Sequence, residues 1–230
     1  MNPVKNYLEL QERIQAVCRR VGREPNVLLL PVSKSQPVQA IRSLYDIGIR
    51  DFAENRVQEL LQKKAVLPND IRWHFIGHLQ KNKVKYVADF IESIASTDSI
   101  ELAEEVSKRA GTIRTGERKI KILIEVNISG EPQKHGVSPD QAEEAVVQIA
   151  SRCPNLMVTG LMGMASFEED PERTRPQFLR LHELRDRIEE RHPELKTFKE
   201  LSMGMTNDFE VAIECGATIV RIGSALFSND

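Results

Sequence analysis

This chain has no apolar run approaching the roughly 20 residues that span a bilayer. Its first residues, "MNPVKNYLELQERIQ", lack the apolar block of a secretory signal. Both absences point to the cytoplasm and away from a membrane. Cysteine is scarce: Cys18, Cys153 and Cys215 are odd in number and far apart, which excludes a disulfide framework and a CxxC metal pattern. Histidines are scattered, and only His74 and His78 stand four apart. "HFIGH" has no glutamate, and Gly77 interrupts helical spacing, so no metal centre is expected. An excess of either charge is missing too. With 32 basic and 34 acidic residues the formal charge is −2, a poor basis for neutralising nucleic-acid phosphates. No Pro/Gly/Ser-rich linker or charge block divides the 230 residues, so one domain over residues 1–230 is expected.

What the chain does have is alternation. A first helix, within residues 1–24, precedes eight short apolar or β-branched runs: "NVLLLPVS", "IRDFAE", "RWHFIG", "FIESIAS", "KIKILIEVN", "LMVTGLMGM", "TFKELSM" and "TIVRIGS". Amphipathic segments such as "SIELAEEVSKRAG" and "PQFLRLHELRDRIEER" lie between them. Eight strand–helix units predict an α/β fold with a parallel sheet, and eight is the number that closes a (β/α)8 TIM barrel. An open doubly wound sheet is the alternative, but it wants a switch point and usually fewer strands.

Such barrels keep their chemistry at the carboxyl ends of the strands. Here those ends read Lys34; Glu54 and Asn55; Gly77 and His78; Ser96; Asn127; Met164; Ser202 and Met203; Gly223 and Ser224. Lys34 ends an apolar run, so it either points into water or stands at a pocket mouth. In "TIVRIGS", alternation puts Ile219, Arg221 and Gly223 on one face, opposite Thr218, Val220 and Ile222. An inward Arg221 needs either an ion-pair partner, for which Glu125 is the natural choice, or a ligand. "LSMGMTNDFEVAIECG" reads as strand, glycine turn and a helix opening near Thr206, Asn207 or Asp208. That arrangement makes either a phosphate cradle, with Ser202 and Thr206 adding hydroxyls, or an ordinary helix cap. Gly223 and Ser224 extend the cradle. A closed barrel sets the eighth strand beside the first, bringing Lys34 to these loops. An amine, a phosphate cradle and a cation suit pyridoxal 5′-phosphate (PLP) held as a lysine imine.

Seven stretches in order, "VSKSQP", "FAENRVQEL", "WHFIGHLQKNK", "EVNISGEPQKHG", "GLMGM", "LSMGMTNDFEVAIECGAT" and "VRIGSALF", carry a resemblance over about Leu28 to Phe227. In these the chain resembles the pyridoxal phosphate homeostasis proteins. The departure is Ser228, where glycine is expected. The resemblance implies a fold-type III PLP-binding barrel, similar to the N-terminal domain of alanine racemase, with an extra N-terminal helix and the cofactor on Lys34. It also implies phosphate contacts from the segment that holds Ser202, Met203 and Thr206 and from Gly223 and Ser224. Arg221 would lie near the pyridine nitrogen and Asn55 near the ring or its imine.

The same resemblance implies a non-catalytic role in vitamin B6 homeostasis; a monomer is expected, with apo PLP-dependent enzymes as transient recipients of a cofactor exposed at the barrel mouth. The alternatives are a PLP-dependent racemase or lyase of amino acids, and an aldolase using Lys34. A racemase needs a proton donor on the cofactor face opposite its lysine. Fold-type III racemases take a tyrosine from an additional β domain, which is expected to be absent because the sequence closes after the eighth strand. Tyr7, Tyr45 and Tyr86 all fall in expected helices. His78 is the remaining acid–base candidate, set against a plain hydrogen-bonded histidine. Lys81, Lys83 and Lys85 form a basic patch that either binds an anion or partner or simply faces water.

Overall fold

The computed structural model describes residues 2–113 and 119–228; the expected domain also includes residues outside these. The helices are α1 (Pro3–Arg20), α2 (Val38–Asp46), α3 (Val57–Lys64), α4 (Ile100–Ile113), α5 (Pro139–Arg152), α6 (Arg175–Arg191), α7 (Phe209–Glu214) and α8 (Ser224–Phe227). The strands are β1 (Leu28–Pro31), β2 (Asp51–Glu54), β3 (Arg72–Phe75), β4 (Ser93–Thr97), β5 (Ile120–Val126), β6 (Leu156–Gly163), β7 (Glu200–Ser202) and β8 (Ile219–Ile222). Each strand lies within its expected run except β4, which continues one residue further, to Thr97. The third unit departs from the pattern: Lys81–Tyr86 is a 3-10 helix in place of an α-helix.

All strand neighbours are parallel, in the order β1-β8-β7-β6-β5-β4-β3-β2. β1 pairs β8 with Leu30 opposite Arg221. At the remaining seam, Val32 bridges to Ala53, and the Ser33 N–H donates to Ala53 O at 2.9 Å. The barrel therefore closes at the carboxyl ends of β1 and β2, beside Lys34.

Two faces of each strand divide the core. Leu29, Phe52, Trp73, Val220 and Ile222 belong to the large outer core beneath the helices, whereas Leu30, Val32, Ala53 and Ile219 cluster inside the barrel. Burying each large apolar side chain contributes roughly 1.5–3 kcal/mol, so a one-residue slip that reversed the faces would be severely unfavourable. α1 follows its own period. Tyr7, Leu10, Ile14, Val17 and Cys18 are buried on one face, Asn2 accepts from Lys5 N at 3.0 Å, and Pro3 opens the first turn. It packs across α7 and α8. Cys18, Cys153 and Cys215 are free thiols, and no helix among the described residues is long and apolar enough to cross a membrane.

Candidate functional site

The inward phase of β1 runs through Leu30 and Val32 and continues to Lys34, which lines a cavity of about 500 Å³ at the carboxyl ends of the strands. Asn55, Thr206, Arg221, Gly223 and Ser224 line the same cavity. The volume lies in the range of small-molecule sites. Lys34 is exposed, and its amine has no hydrogen bond or ion pair among the described residues. Strand alternation thus answers the question posed by the lysine: it is the next inward residue after the apolar run, reaching the mouth.

The loops after β7 and β8 form the facing wall. Gly204 adopts φ +92°, a left-handed conformation, and a Cβ there would meet the Ala212 Cβ at 2.6 Å. Asp208 precedes α7, and its Oδ1 accepts from Met205 N at 2.7 Å, holding the turn. Burial raises the Asp208 carboxyl, with that backbone N–H and Arg221 opposing. The Ser224 hydroxyl donates to Thr206 Oγ1 at 2.9 Å. Among the described residues, the N–H groups of Thr206, Asn207, Gly223 and Ser224 find no acceptor. Four free amides and two hydroxyls around one corner of a cavity make a suitable setting for a phosphoryl group. α7 starts at Phe209, just beyond the expected Thr206, Asn207 or Asp208.

Ser202 and Met203 stand apart from this wall. Met203 is buried in the outer core. Ser202 faces a second cavity, of about 400 Å³, lined by residues near the strands' amino ends. Its Oγ accepts from Arg221 Nη1 at 2.7 Å, while Arg221 Nη2 donates to Gly163 O at 3.1 Å. The Ser202 hydroxyl therefore supports the arginine, because the short β7 directs it inward beneath the guanidinium.

Arg221 is buried, and burial pulls its pKa down to about 10 despite the opposing charges of Glu125 and Asp208. It remains a cation at neutral pH. Glu125 acts on it through space; the direct partners are Ser202 and Gly163, and the ion pair that was one of the two alternatives does not form. Burial first, then the Asp98 charge, pushes the Glu125 carboxyl up to about 7, with Arg221 and His78 opposing. Relative to the ordinary value of 4.5, the folded chain holds the extra proton across that window, so stability falls as pH rises through it. Glu125→Gln should remove this fall. Urea denaturation should show the variant about 3 kcal/mol more stable than the parent at about pH 8. Below pH 4.5 the two should converge.

Asn55 occupies the inward phase of β2, after Ala53. A Cβ on Gly77 would lie 2.2 Å from Asn55 O, so only glycine lets the chain after β3 pass so close behind it. Asn55 Oδ1 is buried without a hydrogen-bond partner. A buried amide oxygen left bare is costly, and a polar ligand in the adjoining cavity would satisfy it. This orphaned atom, the free amides and the unpaired amine all fit the aldehyde, hydroxyl and phosphoryl groups of PLP.

The other candidates lie outside the cavity lining. His78 Nδ1 is 3.1 Å from Asp98 Oδ2, and its ring stacks on His135 at 4.3 Å with an interplanar angle of 13°. His135 Nδ1 lies 4.0 Å from the same Asp98 oxygen, so the three side chains bring their ligand atoms within 4.8 Å of one another, a grouping that the sequence reading did not expect. Lys81 and Lys85 are exposed. Sequence reading missed Lys134 and Phe167 as cavity-lining residues. Lys134 was visible inside "EVNISGEPQKHG", but a long loop hid its direction; its Nζ donates to Ala165 O at 3.1 Å.

Residues 6–229 match the family described as alanine racemase, N-terminal domain. A pyridoxal phosphate homeostasis protein of Aquifex aeolicus is 44% identical, with 100% of this chain and 99% of that protein aligned. The Homo sapiens protein of the same name is 39% identical, over 96% of this chain and 84% of its own length. Among solved structures, PipY of Synechococcus elongatus with PLP bound has a TM-score of 0.80 at 33% identity, covering 95% of this chain and 99% of PipY. With full-length identity at these levels, and a cavity of matching chemistry at the barrel mouth, the chain belongs to the pyridoxal phosphate homeostasis proteins, within the alanine racemase N-terminal-domain family.

Proposed function

We propose that this protein holds PLP in the barrel-mouth cavity, with Lys34 joined to it as an imine, and serves intracellular vitamin B6 homeostasis in the cytoplasm. The observation that carries the reading is an unpaired, inward-phased amine facing amides that have no acceptor of their own. PLP brings an electrophilic aldehyde and an electron-accepting ring. The exposed, unpaired Lys34 amine would supply the nucleophile for that aldehyde, with loss of water. Thr206, Ser224 and the amides beside them would hold the phosphoryl end, Asn55 would hold the ring, and Arg221 would serve its nitrogen.

The role is holding and release, without robust turnover. Tyr7, Tyr45 and Tyr86 stand away from the cavity, and Tyr45 donates its hydroxyl to Asp70 at 2.7 Å. An accessible imine can exchange with water or free amines, so apo PLP-dependent enzymes are the transient recipients, and a monomer suffices for this exchange.

The test adds PLP to purified protein and follows a visible to near-ultraviolet band, then reduces with borohydride and maps the modified peptide. Modification at Lys34 is the expected outcome. A colourless protein, or a label elsewhere, overturns the reading. A chiral assay on the same preparation should show no robust racemisation, and holo protein should restore an apo PLP-dependent enzyme faster than spontaneous release allows.

A further inference from the structure

Behind Lys34, on the outward side of the barrel wall, lies a network that the binding site itself does not use. Lys63 on α3 is a buried lysine at 5% exposure, and Glu54 beside it is fully buried. The Lys63 ammonium donates to Ser33 O at 2.5 Å, Glu54 Oε1 at 2.6 Å and Glu59 Oε1 at 2.7 Å. Its three donors are therefore all used. The Ser33 hydroxyl donates to Glu54 Oε1 at 2.6 Å, and the Ser35 N–H donates to Glu59 Oε1 at 2.5 Å. These contacts grip the backbone on both sides of Lys34 and leave its side chain untouched.

The residue after Lys34 shows what the grip does. Ser35 has φ 59°, and among the described residues it alone of the non-glycines lies at positive φ. A side-chain-bearing residue in that region costs on the order of 1 kcal/mol. Glu59 accepts from its amide in that conformation, so the carboxylate holds a turn that the chain would not choose. Buried ion pairs contribute little net stability compared with well-packed apolar groups. The network is better accounted for by geometry: it holds one turn in one shape.

We infer that Lys63 and Glu59 are positioning residues, which fix the Ser33–Ser35 turn so that the Lys34 amine meets the aldehyde of the bound cofactor. The inference rests on the Lys34 reading above. Glu59 is the cleaner place to test it, since it is partly exposed and its loss leaves Glu54 paired with Lys63. Glu59→Gln keeps an oxygen for the Ser35 amide, whereas Glu59→Ala removes it.

The experiment incubates parent, Glu59→Ala, Glu59→Gln and Lys63→Met with PLP. It compares the borohydride-trapped Lys34 adduct, by peptide mass spectrometry, with total bound PLP, by equilibrium dialysis. Thermal melting is followed alongside. Misplacing a reacting atom by about 1 Å can cost on the order of a hundredfold. Glu59→Ala and Lys63→Met should therefore trap roughly tenfold to a hundredfold more slowly per bound PLP, and Glu59→Gln should recover most of the rate. Variants that melt lower but trap at the parental rate per bound PLP overturn the inference and leave the Lys34 reading intact. A parent that traps nothing on Lys34 overturns both.

Discussion

Lys34→Ala should fold normally, bind PLP weakly through its phosphoryl end and yield no borohydride-stable adduct. The amine is exposed and unpaired among the described residues, so its loss removes no packing and no hydrogen bond. Stability should stay within about 0.5 kcal/mol of the parent. The free amides of Thr206, Asn207, Gly223 and Ser224 remain, so residual binding should be displaced by inorganic phosphate. Absorbance titration with added phosphate checks both halves of this result. Persistence of the adduct in the variant would place the bond elsewhere, with Lys134 the next amine lining the cavity.

Arg221→Met should separate affinity from stability. Burial draws the guanidinium pKa down to about 10 from an ordinary 12.5. That shift corresponds to about 3 kcal/mol against the charged form, so the folded chain carries the charge at a cost. Removing it also strips donors from Ser202 Oγ and Gly163 O, a loss of about 1–3 kcal/mol for each group left bare. These effects oppose each other, and the melting midpoint should move little. Cofactor affinity should not be spared. A hydrogen bond to a charged group contributes about 1.5–3 kcal/mol, which is roughly tenfold to a hundredfold in Kd. Parallel thermal melts and PLP titrations decide the matter; a large stability loss with unchanged affinity would make Arg221 a structural residue.

The fold was legible in the chain because two periods alternate without interruption. The reading of β8 shows how far alternation reaches: Val220 and Ile222 pack outward, and Arg221 lines the cavity. It did not reach the roles inside the short turns. Ser202 and Thr206 are four residues apart and were read as one anion-binding segment, yet β7 sends the Ser202 hydroxyl beneath Arg221 while the turn carries Thr206 to the rim. A period of two describes a strand, and it lapses where the backbone turns at Gly204.

By itself the sequence determined the number of strand–helix units, the faces of β8 and the family, since hydrophobic period and local motifs are properties of neighbours along the chain. Tertiary structure alone decided which polar groups lack partners. Lys63 stands four residues after Glu59 on α3 and is buried against Glu54 and Ser33 O, contacts that strand and helix periods do not reveal. Lys34, at the end of an apolar run, is left unpaired among the described residues. Burial and hydrogen-bond saturation depend on what the closed barrel brings alongside, and closure joins residues far apart in the chain, such as Val32 to Ile222 and Ala53.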